Sequence, residues 1–170
     1  MYLKIIGAAL IIVSSSGIGF RAAASYRYEE KTLRQLVSIL SDIECELQYR
    51  QAPLPQLCHT IADKQCNILG KLFNCFSQEL ENQIFPNPML CMQSAIEKTK
   101  QLPKITRQQL EELGAQLGSY DLSGQLQAIE LIKSNSTRIL GQLCDGKEMR
   151  LRNYQTLGLC AGAALSILFI

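Results

Sequence analysis

The stretch Leu33 to Leu47, LRQLVSILSDIECEL, places Leu33, Leu36, Val37, Leu40, Ile43, Glu44 and Leu47 on one stripe at helical spacing. Arg34, Gln35, Asp42, Glu46 and the following Gln48 fall mostly outside that stripe. A helix with one apolar side cannot leave it in water, so this stretch predicts further elements that cover it. The helix is expected to stop before Ala52-Pro53-Leu54-Pro55, because a proline interrupts the hydrogen-bond ladder and disfavours helical geometry in the residue before it.

Downstream the same period recurs in shorter pieces. Pro55 to Lys64 carries Leu57, Cys58, Ile61 and Ala62 on one face, and Cys66 to Glu81 carries Leu69, Leu72, Phe73, Phe76 and Leu80. After Pro86-Asn87-Pro88, Met89 to Lys100 turns Leu90, Met92, Ala95 and Ile96 inward, and Leu102-Pro103 closes it. Thr106 reads as an N-cap with Gln109 completing a capping box, ahead of a stripe of Leu110, Leu113 and Leu117. The turn-rich Gly118 to Gly124 follows, and Leu126, Ile129, Ile132, Ile139, Leu140 and Leu143 resume the helical period towards Gly141 and Gly146. Nothing alternates with period two over a useful length, so the expected fold class is all-α, a bundle of short helices.

Upstream, Ile5 to Phe20, IIGAALIIVSSSGIGF, has no charge and is followed by Arg21, Arg27, Lys31 and Arg34 with Tyr26 and Tyr28 among them. The far end mirrors it. Leu157 to Ile170, LGLCAGAALSILFI, ends an uncharged run from Asn153 of about 27 Å in helical form, close to the hydrocarbon thickness of a bilayer. Lys147, Arg150, Arg152 and Tyr154 stand before it. Basic residues crowd the inner flank of both apolar ends, which predicts two transmembrane helices with the middle of the chain cytoplasmic and both termini outside. The expected division is residues 1–24 as an N-terminal anchor, 25–152 as a cytoplasmic helical bundle and 153–170 as a C-terminal transmembrane helix.

With 170 residues and a net charge of +2, the chain has room for one small domain between anchors, and no nucleic-acid footprint is present. The seven cysteines form an odd set without a C-x-x-C pair, as expected for free thiols in a reducing compartment. The single histidine, His59, lies beside Cys58, but no zinc spacing or hydrolytic motif surrounds it, and neighbours on a helix point about 100° apart. A thiol-dependent enzyme using Cys58 and His59 is therefore a remote reading. The carboxylates Glu29-Glu30, Glu44, Glu46 and Glu111-Glu112 read as solvated faces, and Gly146-Lys147 is too little for a phosphate loop. No catalytic, cofactor-binding or metal-ligating residue is assigned.

Gly158 and Gly162 form a G-x-x-x-G in the terminal run, suited equally to dimerisation and to pairing with the first apolar segment. A rival reading takes Ile5 to Ala24 as a cleaved signal peptide, Asn135-Ser136-Thr137 as a glycosylation acceptor and the tail after Cys144-Asp145-Gly146 as a lipid-anchor signal, giving a secreted, lipid-anchored glycoprotein. Both the unpaired cysteines and an acceptor within a helical pattern argue against it.

Several pieces in order resemble the stage III sporulation protein AB family of endospore-forming bacteria: Arg34-Gln35-Leu36, Ile43-Glu44-Cys45-Glu46 leading to Pro53-Leu54-Pro55, Leu113 to Asp121 followed by Gln125, and the basic stretch before the terminal apolar run. The resemblance implies a non-enzymatic membrane scaffold on the mother-cell side of the outer forespore membrane, its cytoplasmic domain similar to the F-type platform protein of type II secretion. It further implies a place in a secretion-like complex linking mother cell and forespore, with the secretion-type ATPase stage III sporulation protein AA and other stage III membrane proteins as partners. Gln56-Leu57-Cys58 after the P-L-P hinge departs from the family pattern. Gly118 to Gly124 and the hinge are the expected contact surfaces, since loops carry function more often than core faces do.

Overall fold

The computed structural model describes residues 2–49, 53–83, 85–117, 122–145 and 156, with the side chains of 2–20 and 22 outside the description. Among the described residues there are six helices and no strand: α1 Tyr2–Tyr49, α2 Leu54–Lys64, α3 Ile68–Glu81, α4 Pro88–Lys98, α5 Lys104–Gln116 and α6 Leu122–Asp145. The first apolar segment and the amphipathic helix are one continuous helix of 48 residues. No proline interrupts residues 2–49, so the hydrogen-bond ladder runs on through the change from all-apolar to one-sided sequence. Among the described residues no helix is long and apolar enough to cross a membrane. The terminal run 153–170, Thr156 apart, lies outside the described residues.

The chain divides into two compact units, Met1–Glu30 with Gly141–Ile170, and Lys31–Leu140. In the first, Ala23 and Glu30 are buried, and the Cys144 thiol donates to Glu30 Oε1 at 3.7 Å. The second holds the bundle. Its α1 stripe is withdrawn from water at Leu33, Leu36, Ile39, Leu40, Ile43 and Leu47, with Ile39 sharing the buried face and Val37 and Glu44 at its margin. Leu57 and Ile61 of α2, Phe73 and Phe76 of α3, Met92 of α4 and Leu110 and Leu113 of α5 complete the core, with Ile129 and Ile132 of α6. Buried aliphatic and aromatic side chains of this kind each contribute about 1.5–3 kcal/mol.

Local chemistry sets the helix ends. Pro53 stands at the N-cap of α2 with φ −56° and ψ 141°, and Pro55 follows inside the first turn, where a missing N–H loses nothing. Asn67 caps α3, its side-chain oxygen accepting from Leu69 N at 2.9 Å and Gly70 N at 3.1 Å. Asn87 caps α4 in the same way, accepting from Met89 N, with Pro88 opening the helix. Past the end of α3, Gln83 adopts φ 49°, the left-handed position usually given to glycine.

Three expectations are corrected. Thr106 does not cap α5: the helix opens at Lys104 behind Pro103, whose extended backbone (φ −59°, ψ 149°) already starts the turn, and Thr106 and Gln109 are buried inside it. Leu90 is exposed and Cys91 takes the inward place, because Cys91 and Met92 lie one turn before Ala95 and Ile96 on the buried face. Leu122 to Gly124 begin α6 instead of closing a turn, and 118–121 lie outside the described residues.

Glycine measures two close approaches. A Cβ on Gly114 would come within 2.5 Å of Met92 Cβ, and on Gly70 within 1.9 Å of the Gln65 carbonyl oxygen, so α5 lies against α4, and α3 against the turn before it, without room for a methyl group. Gly141 in α6 faces open space. Gly114→Ala is expected to lower stability by about 1–3 kcal/mol through overpacking. Gly141→Ala is expected to raise it by about 0.5–1 kcal/mol through reduced unfolded-state freedom. Thermal unfolding of the two variants beside the parent chain measures both signs.

Candidate partner-binding surface

The Cys58–His59 pair is not brought together. Cys58 is buried in α2, and burial pushes its thiol up to about 12, far from the thiolate form a nucleophile needs. His59 points outward and shares a 3.1 Å contact with Asp63 one turn on, both side chains largely exposed. The sequon is likewise built into the bundle. Asn135 accepts from Arg138 Nη2 at 2.9 Å, the buried Ser136 donates to Gln109 Oε1 at 2.9 Å, and Thr137 donates to the Lys133 carbonyl at 2.8 Å.

Polar groups in the bundle instead hold helix to helix. Glu79 of α3, almost fully buried, accepts from Ser94 Oγ at 2.8 Å and from Lys98 Nζ at 2.7 Å, both on α4, and from Cys75 Sγ at 3.6 Å within its own helix. Its second carboxylate oxygen has no partner among the described residues. Lys98 is raised above its ordinary 10.5, first by the hydrogen bond to Glu79, and Cys75 is raised by burial and then by the Glu79 charge. Lys133 of α6 pairs with Glu44 of α1, and Lys64 of α2 stands 3.9 Å from Glu46. Periodicity did not single out Glu79, Ser136 or Gln109 as interior groups, because a polar residue between apolar neighbours is read as exposed. A carboxylate at Glu79, on the same side as Phe76 and one turn after Cys75, was the available signal.

Two surface features could receive a partner. An open groove of about 610 Å³ runs along α6 beside the end of α5, lined by Gln116, Gly124, Gln127, Ala128, Glu130, Leu131 and Ser134. Leu131 stands in it 67% exposed, and a smaller groove continues past it between Glu112, Asn135 and Arg138. A hollow of about 500 Å³ between the start of α3 and the end of α4 is rimmed by Lys71, Lys98 and Lys100. Of the expected contact surfaces, the hinge presents Pro53 to solvent while Leu54 and Pro55 are half-buried.

A helical bundle preceded by a long N-terminal helix was compared with known proteins. The family model for stage III sporulation protein AB matches residues 4–170. The chain belongs to the stage III sporulation protein AB family. It is 27% identical to stage III sporulation protein AB of Bacillus subtilis (strain 168) over 174 residues, covering 99% of both chains. A solved structure of a stage III sporulation protein AB covers 72% of this chain and 98% of its own, with a TM-score of 0.64 at 22% identity, which supports the same fold. Membership in the stage III sporulation protein AB family supports a sporulation-related role.

Two outcomes follow from the buried groups. Lys98→Met leaves the buried Glu79 carboxylate without its cation and is expected to lower stability, and adding Glu79→Gln should recover part of that loss, as urea unfolding of the single and double variants will measure. Because Lys98 is raised in the fold, the pair's contribution is complete below the unfolded lysine value and fades as pH rises through the folded one, so the difference between parent and Lys98→Met should shrink in strongly alkaline buffer. Separately, native-state alkylation followed by mass spectrometry should label the exposed Cys45 and Cys66 and spare Cys58 and Cys91.

Proposed function

We propose that this chain is a non-enzymatic membrane scaffold, anchored at both ends, in a sporulation-specific, secretion-like complex that links mother cell and forespore. The observation that carries the reading is that the family match runs from residue 4 to residue 170 and so takes in both apolar ends together with the bundle between them. The basic inner flanks, Arg21, Arg27 and Lys31 on one side and Lys147, Arg150 and Arg152 on the other, support a cytoplasmic bundle with both termini outside. On that topology the bundle faces the mother-cell cytoplasm and meets the secretion-type ATPase, stage III sporulation protein AA, together with other stage III sporulation membrane proteins.

A scaffold needs rigid, polar-rimmed surfaces and no activated nucleophile. The lysine-rimmed hollow and the α6 groove supply the former, and the thiol of Cys58, raised by burial, is consistent with the latter. The test is labelling by an impermeant maleimide of intact, non-sporulating cells that carry the chain in their plasma membrane, with Cys45, Cys66 and Cys160 replaced by serine and single reporters placed at Gln108→Cys or after Ile170. Labelling confined to the C-terminal reporter is expected. Labelling of Gln108→Cys from outside would invert the topology and remove the cytoplasmic scaffold reading.

A further inference from the structure

The hollow between the start of α3 and the end of α4 gathers positive charge without matching carboxylates. Lys71, Lys98 and Lys100 stand in its lining with Cys66, Ile68 and Gln101, and no Asp or Glu is among the lining residues. Lys98 is held by the buried Glu79 at 2.7 Å, yet its side chain is 59% exposed, which leaves ammonium donors for a second acceptor. Lys71 and Lys100 are exposed, and among the described residues neither has an ion pair, not even with Glu97 three residues before Lys100.

Both walls are fixed before anything enters. On the α3 side Asn67 caps the helix through Leu69 N and Gly70 N, and Gly70 lies too close to the Gln65 carbonyl for any Cβ. On the α4 side the Thr99 hydroxyl donates to the Ala95 carbonyl at 2.8 Å and the Thr99 N–H to the Ile96 carbonyl at 3.1 Å, closing the helix just before Lys100. Charges held on fixed walls lose less freedom when they bind. The rim chemistry selects the occupant. Lysine offers a point charge and lacks the planar fork with which arginine grips a single phosphate or carboxylate. Exposed ammonium groups also stay hydrated, so each contact with a lone anion gains little. A segment with several carboxylates meets all three lysines at once, and its weak contacts reinforce one another because they lie on one chain.

We propose that the hollow lined by Lys71, Lys98 and Lys100 is the docking site for an acidic segment, rich in Asp and Glu, of a partner protein. The inference rests on the scaffold reading, in which the bundle meets other proteins, and adds the surface it uses and the charge that the partner carries. Glu79 then has a second part, holding Lys98 in place at the rim.

The test uses the full chain in micelles of an uncharged detergent at low salt, with a fluorescent decapeptide of alternating Asp and Gly as probe and the same peptide with Asn for Asp as control, read by fluorescence anisotropy. The Asp peptide is expected to bind at least about tenfold more tightly than the Asn peptide and to weaken as salt is added. Lys71→Gln and Lys100→Gln should each weaken it about threefold and together about tenfold, while Arg138→Gln, an exposed cation outside the hollow, leaves it unchanged. Lys71 and Lys100 are exposed, so circular dichroism and thermal unfolding should match the parent, and a loss of binding is not a loss of fold. An Asp peptide bound no better than the Asn peptide overturns the site, and so does binding indifferent to the two lysine variants. Displacement of the probe by inorganic phosphate or glycerol phosphate as readily as by unlabelled Asp peptide makes the hollow a phosphate site and also overturns the proposal. Binding in micelles does not depend on which side of a membrane the bundle faces, so failure here is distinct from an inverted topology in the labelling experiment.

Discussion

Leu33, Leu36, Ile39, Leu40, Ile43 and Leu47 of one helix must be kept from water, and the Lys31–Leu140 unit is built around that requirement. A single helix offers no way to cover its own stripe, so five shorter helices supply the cover. Their lengths follow from their stops: Pro53 and Pro55 ahead of α2, Asn67 ahead of α3, Asn87-Pro88 ahead of α4 and Pro103 ahead of α5. Short helices are marginal in isolation, and here their stability comes from the face each one buries.

Polar groups set which helix lies beside which. Hydrophobic burial is not directional, and several arrangements of six amphipathic helices would hide comparable area. Glu79 bound to Ser94 and Lys98 fixes α3 on α4, Ser136 bound to Gln109 fixes α6 on α5, and Lys133 bound to Glu44 fixes α6 on α1. Gly114 adds a steric condition, since only a residue without Cβ admits Met92 at that distance. Each of these would be unfavourable in another arrangement, which is how buried polar groups select one packing among many.

The functional reading rests on the same division of labour. The Cys58 and Cys91 thiols are enclosed and those of Cys45 and Cys66 are exposed, while the surface also keeps an exposed leucine, a groove and a lysine-rimmed hollow. The proposed scaffold role rests on that surface, which offers shape and charge for other proteins to meet. Its family membership supports a sporulation-related role, and its apolar ends carry the proposed tie to a membrane.

The sequence by itself determined the all-helical class, the order of the helices and most of the buried face, because side-chain period and proline position act over a few residues and need no partner to be read. Leu57, Phe73, Leu110 and Ile132 are interior for that reason. It also carried the family, through pieces spread along the whole chain. Only the tertiary structure decided that Glu79, Thr106, Gln109 and Ser136 are interior, that Leu90 gives way to Cys91, and that the first apolar segment continues into the amphipathic helix without a break. Polar burial depends on a partner many residues away, 27 positions for Ser136 and Gln109 and 89 for Lys133 and Glu44, and no local pattern records where the fold will bring that partner.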